Sequence, residues 1–285
     1  MEQAGLFAAR ALAYGTMLPA AGLPLYLLAA GRVAAATTAL RRATAILAVL
    51  AAVASVWWLL SAIAAMAALP LSELDRETVT IVSEATPLGA VLKWRLLALG
   101  LLAVTMLTRI PLVIPALAGL AALATASFTG HAGATEATAG LVHRAADTLH
   151  LAAAAIWLGA LVSFVAGAFG HEQDERLESR LASFAATGTV LVGALLFTGI
   201  ANAVLIAGWP MPLSAHWTAL LILKLALFAA MLGLAALNRW RLTPALNRGQ
   251  PGARAALRAS LACELGCGLA IIAVVAMLGT LDPAA

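Results

Sequence analysis

Long apolar stretches recur along this chain, several of them longer than the roughly 18 residues that mark a helix able to cross hydrocarbon. Short segments between them collect most of the charge. That alternation leaves few folds open. Inside a bilayer the backbone N–H and C=O groups find no water, so they must be satisfied within helices or within a closed barrel. A barrel strand alternates apolar and polar residues, and no such alternation is present. With 63% hydrophobic and 11% charged residues, the chain has no segment polar and long enough to form a separate soluble domain. The expected fold is all-α, one polytopic membrane helix bundle over residues 1–285.

Eight spans are expected, at about residues 6–30, 43–69, 89–107, 111–128, 147–169, 181–207, 217–240 and 259–281. The segment 71–88 is polar, with Glu73, Asp75, Arg76, Glu77 and Glu84. No basic stretch precedes the first apolar run, since Glu2 comes first and Arg10 lies within it. That run is read as a retained helix and not as a cleaved signal peptide.

Lysine and arginine set the orientation. Alternate loops hold Arg32, Arg41, Arg42, Arg109, Arg176, Arg180, Arg239, Arg241, Arg248, Arg254 and Arg258, eleven of the seventeen basic residues. The positive-inside rule places these loops in the cytoplasm and both termini on the periplasmic side. His131, His143, His150 and His216 then fall on the outer side, and His171 on the inner. Trp94, Trp209, Trp217 and Trp240 fall at span ends, as interface anchors do, whereas Trp57 and Trp58 read as packing. The net charge of +4 records loop topology and gives no reason to expect a nucleic-acid partner.

Ionisable groups gather between Gly130 and Leu161, in GHAGATEATAGLVHRAADTLHLAAAAIWLGAL. Charged or ionisable side chains at a membrane span are costly and mark function by default. On a helix His143 and Asp147, at i and i+4, share a face with His150, three residues further on. His143 and His150 are about 10 Å apart along the axis, too far to grip one ion together on an intact helix. Asp147 with one histidine can do so if other segments supply the rest. His131 could fold back through its glycine-containing loop, and His216 opens the seventh span at the same depth. Imidazole with carboxylate suits divalent copper, zinc, nickel or iron. The expected metal site is His131, His143, Asp147, His150 and His216. A blander role for Asp147 is to cap the fifth helix.

Within the spans, Glu264 stands between Cys263 and Cys267, which share a helix face. A thiolate pair would suit monovalent copper, while small buried cysteines at a tight interface are the simpler reading. Lys224, Arg95 and Lys93 are candidate partners for Glu264, although Lys93 and Arg95 could also snorkel to the outer interface. Asn202 is placed to hydrogen-bond across helices, and Met17 is a deep sulfur. The two cysteines form no disulfide framework. There is no phosphate-binding loop, nucleophile elbow or haem-attachment motif, so no enzyme activity is expected.

The block Gly130–Ala132 with Asp147–Leu161 resembles the signature of the bacterial copper resistance protein D family, CopD or PcoD. Residues 197–203 (FTGIANA) and 220–246 (LLILKLALFAAMLGLAALNRWRLTPAL) agree with it. The likeness covers about 85–281, and the first two spans fit only in length and order. It implies an eight-helix protein of the bacterial inner membrane that moves copper ions, commonly beside a small periplasmic copper-binding protein of the CopC type. Uptake from periplasm to cytoplasm fits best, because the loading groups face outside. Copper would pass near Met17, Asn202 and Glu264, with Cys263 and Cys267 as an inner station. Two rival readings are a membrane electron carrier holding haem b between His150 and His216, and a copper-dependent sensor or assembly partner that transports nothing.

Overall fold

A computed structural model describes residues 2–32, 36–108, 110–135, 137–208 and 215–281. Arg109 and Trp209, used above to set loops and interfaces, lie outside the described residues. The fold is all-helical. In chain order the helices are α1 (Glu2–Ala29), α2 (Thr38–Ala67), α3 (Arg76–Ala85), α4 (Pro87–Leu107), α5 (Val113–Ala124), α6 (Gly130–Ala134), α7 (Ala137–Phe169), α8 (Asp174–Ala207), α9 (Ala215–Leu237), α10 (Thr243–Asn247) and α11 (Ala253–Leu278). A π-helical segment, Asn238–Leu242, joins α9 to α10.

Seven helices among the described residues are long and apolar enough to cross a membrane: α1, α2, α4, α7, α8, α9 with its extension to Asn247, and α11. The eighth expected span is shorter. It consists of α5 and a 3₁₀ turn, Thr125–Phe128, about 26 Å in length from the rise of the two helix types. The Thr125 hydroxyl donates back to the Ala122 carbonyl, and Gly130 ends the segment at φ +67°.

α1 is the hub and packs on α2, α5, α7 and α11. Small residues allow this. A Cβ on Gly22 would collide with the Ala155 carbonyl of α7, and a Cβ on Gly159 would lie 2.6 Å from the Leu23 nitrogen. At the α1–α5 crossing a Cβ on Gly119 would come within 2.8 Å of the Ala21 Cα. In lipid such close backbone approach replaces the hydrophobic effect as the source of helix association.

α8 lies antiparallel on α7. Its buried positions Gly188, Leu191, Leu195, Thr198 and Asn202 recur at three- and four-residue steps, the spacing of a packed seam. α9 instead packs on α11.

The basic loops have a structural role. The Arg254 guanidinium donates to the carbonyls of Gly167, Ala168, Gly170 and Glu172 and pairs with Asp174, so it fastens the α7–α8 connection to α11. The Gly167 and Ala168 carbonyls belong to the last turn of α7, where a cation also suits the helix dipole. Arg254→Ala is expected to destabilise the protein by about 2–3 kcal/mol, given the worth of hydrogen bonds to charged groups. A thermal melt in detergent checks this, and an unchanged Tm would contradict it.

The polar segment 71–88 contains α3, capped by Asp75, whose carboxylate accepts from the Thr78 N–H at 2.7 Å. That hydrogen bond holds the Asp75 carboxyl below its usual 3.8. A depressed carboxyl stabilises the fold above its unfolded value and ceases to do so as pH falls through the folded one. α3 is therefore expected to fray at its start below about pH 3.8, with Asp75→Asn removing that acid dependence. Amide exchange at Thr78 measured against pH checks this, and equal acid dependence in both proteins would contradict it.

Candidate metal-handling site

Four expectations are corrected by the helix geometry. The fifth membrane helix starts at Ala137, ten residues before Asp147, because Ala137–Ala146 has no helix breaker but Gly140. Asp147 therefore caps nothing and stands within the helix. Arg95 does not snorkel: it is 4% exposed. Glu264 takes neither Lys93, Arg95 nor Lys224 as its hydrogen-bond partner. Trp217 is buried against Val274 and Leu278 and is no interface anchor, whereas Trp94 and Trp240 are exposed.

His143, Asp147, His150 and Trp157 occupy one seam of α7, at steps of four, three and seven residues. The antiparallel register with α8 decides what each meets. Asp147 accepts from the Asn202 amide at 3.3 Å, and His150 Nδ1 shares a 2.9 Å hydrogen bond with the Thr198 hydroxyl. Further along, Phe164 meets Phe184 edge-on at 5.7 Å or less, within a cluster shared with Tyr26. Each step forward on α7 is matched by a step back on α8.

Around these groups the site is polar on three sides. Ser127, from the turn after α5, hydrogen-bonds Thr148 at 3.0 Å and reaches the Asp147 carboxylate. Lys224 of α9 lies within electrostatic range of Asp147 and His150. His143, 1% exposed, bonds through Nδ1 to the Thr135 hydroxyl at 2.8 Å. His131 lies on α6, and Thr135 donates to its carbonyl at 3.0 Å. His216 sits exposed at the start of α9.

A second buried polar group lies toward the α10 end of the bundle. Glu264, 3% exposed, accepts from Trp157 Nε1 and from Asn238 Nδ2, each at 3.0 Å. Asn238 begins the π-helical segment, a distortion that often accompanies functional sites. Cys263 is exposed on α11 and Cys267 half-buried, on flanks of the helix other than the one that carries Glu264 inward. Met17 stands elsewhere, fully buried in the wall of a small cavity with Arg10 and Arg95.

Among the described residues no three of His, Cys, Asp and Glu converge closely enough to hold a metal ion. Asp147 and His150 are joined instead by Asn202, Thr198, Ser127 and Lys224. Sequence reasoning missed Thr198, Ser127, Thr135 and Trp157. Thr198 and Asn202 were findable, because they continue the seam of Leu191 and Leu195.

The chain was compared with known proteins. The family model for copper resistance protein D matches residues 178–278, and that for the copper resistance protein D-like N-terminal domain matches residues 1–141. The likeness thus extends to the first two spans. Copper resistance protein D of Pseudomonas syringae pv. tomato is 37% identical over 217 residues, covering 70% of this chain and 69% of that protein. Inner membrane protein YebZ of Escherichia coli (strain K12) is 30% identical over 210 residues, covering 70% of each. No solved structure matches. The family assignment rests on both matched models and on the extent of these two likenesses: the chain belongs to the copper resistance protein D family.

Proposed function

We propose that this multi-pass protein carries copper ions across the bacterial inner membrane, from periplasm to cytoplasm. The kinship supports a copper-related role and an inner-membrane setting. One structural observation supports the path: the seam of α7 places His143, Asp147 and His150 in its first half and Trp157, bonded to buried Glu264, beyond them. From His143 to Trp157 is about 21 Å along the helix, most of a hydrocarbon core.

The topology that goes with this reading has eight spans, with α5 and its 3₁₀ turn as the short one. Both termini are periplasmic and the loops rich in arginine are cytoplasmic. His143 then lies at the outer end and Glu264 nearer the cytoplasm.

Copper, divalent on arrival, is received at Asp147 and His150, with His143 above them and His131 and His216 at the rim. A pair of strong ligands completed by hydroxyl and amide oxygens gives an incomplete, exchangeable site, as conduction requires. The next carboxylate is Glu264 of α11, held by Trp157, which stands about 10 Å beyond His150 along α7. A periplasmic copper-binding protein of the CopC type is the natural donor. No catalytic step is involved.

Lys224 sets how tightly the ion is held, because its ammonium competes with copper for the Asp147 carboxylate. Lys224→Gln is expected to raise copper affinity several-fold and to slow release. Isothermal titration of the purified protein checks this, and weaker binding would contradict it.

The reading is tested by copper content after purification in detergent, comparing wild type with a His143→Ala, His150→Ala double variant. About one copper per wild-type chain, lost in the variant, is the expected result. Equal copper in both would sink the site. A Soret band without copper would move the assignment to the haem carrier.

A further inference from the structure

Beside α7, the bundle holds a small cavity that copper passage does not use. Its apolar wall is Ala13, Met17 and Trp58, and its polar lining is Arg10, Arg95, Tyr14 and Thr129. It has room for about one small species, on the scale of a water molecule.

Arg95 makes this cavity unusual. At 4% exposure it is buried within α4, and it stacks on the Trp58 ring at 5.1 Å from the centroid. Only its Nε–H has a protein acceptor among the described residues, the Thr125 hydroxyl at 2.8 Å. The remaining guanidinium N–H groups have none.

Arg10 donates through Nη1 to the Gly279 carbonyl at 2.8 Å and lies over the Tyr14 ring at 5.8 Å. Its charge reaches Arg95 unfavourably. Among the described residues neither arginine has a carboxylate partner, and the ion pairs there are Arg180–Glu172 and Arg254–Asp174. Asp147 senses Arg10 at a distance, but its hydrogen bonds are to Asn202 and Ser127.

Two arginines lining one small cavity within membrane spans, with no counter-charge bonded to them among the described residues, are costly. An anion placed between them relieves both the desolvation and the mutual repulsion. The same charges exclude a copper ion. The Tyr14 hydroxyl, which has no protein partner among the described residues, adds a neutral donor. The Thr129 hydroxyl donates to the Ala126 carbonyl and so offers none. The size excludes organic acids, and the Met17 and Trp58 wall favours a weakly hydrated monovalent ion over phosphate or sulfate.

We infer that this cavity binds one small monovalent anion of halide size between Arg10 and Arg95. Chloride is the abundant ion of that class. The inference does not rest on copper transport, and it is tested on metal-free protein.

The experiment is equilibrium dialysis of the purified full chain in detergent against radioactive chloride, with ionic strength held by gluconate. Saturable binding of about one chloride per chain, displaced by bromide, is expected. Arg95→Gln should weaken it at least tenfold or so, as expected for loss of charge-assisted hydrogen bonds. Arg95→Lys, which keeps the charge but loses the fork, and Tyr14→Phe, which leaves the packing intact, should each weaken it roughly two- to tenfold. Tyr14→Phe and Arg95→Lys keep the test decisive if Arg95→Gln fails to fold. Absence of a saturable component in wild type, or binding unchanged in the folded variants, would overturn the inference.

Discussion

Gly159→Val is expected to abolish the folded bundle. The Cβ of any residue at this position would lie 2.6 Å from the Leu23 nitrogen and closer still to the Gly22 backbone. Overpacking of side chain against side chain typically costs about 1–3 kcal/mol, because rotamers give way. Here the obstacle is the backbone of α1, which has no rotamer to change. Relief requires α1 and α7 to separate, and that dismantles the packing of Ala20, Ala21, Leu23, Ala155 and Ala160, all of them fully buried. The cost should exceed about 3 kcal/mol. Fluorescence-detected size exclusion should show the variant aggregated or absent, and Gly159→Ala already with a lowered Tm. A monodisperse Gly159→Val protein melting with wild type would contradict this packing.

Asp147→Ala has the second large expected effect, on function and not on folding. Asp147 is the carboxylate on the first half of the α7 seam. Its partners are the neutral Asn202 amide, the Ser127 hydroxyl and the nearby Lys224. Removing it leaves His150 without an anionic co-ligand and Lys224 without a counter-charge, so a divalent ion meets a net positive site. Copper uptake should fall by at least tenfold or so, equivalent to about 1.4 kcal/mol or more in ion binding. His150→Ala should have a similar effect, since imidazole supplies the strong neutral ligand. Protein abundance should stay near wild type, because neither side chain stands at the Gly22–Gly159 crossing. Copper accumulation in cells, normalised to protein in the membrane, checks this. Uptake unchanged in both variants would remove Asp147 and His150 from the path.

The sequence carried some of this arrangement and not the rest, for definite reasons. The three ionisable groups of α7 were recognisable as one helix face because 143, 147 and 150 are spaced by a helix period. The cross-helix role of Asn202 was also legible, since an amide inside a span needs a partner. What Asn202 meets was not, because one sequence does not fix the register of α7 against α8. The same gap hid Thr198 behind His150 and Trp157 behind Glu264. Lys224 was assigned to Glu264 on charge alone, but α9 carries it toward Asp147. For Arg95 the sequence offered a partner of Glu264 or an interface side chain, since it follows Lys93 and Trp94 near a span end, yet position 95 turns inward toward Trp58 while Trp94 faces outward. The start of α7 was misplaced because Thr138, His143 and Arg144 lower the hydropathy of a segment that is helical throughout.

The most direct test of copper passage is flux. Wild-type protein and Asp147→Ala protein would be reconstituted into liposomes holding a copper-sensitive dye, with copper supplied outside by a periplasmic donor protein or as a weak chelate. The account predicts dye response with wild type, at a rate that saturates with copper, and little above empty liposomes with Asp147→Ala. Equal rates for wild type, variant and empty liposomes, with correctly folded protein in the bilayer, would contradict it.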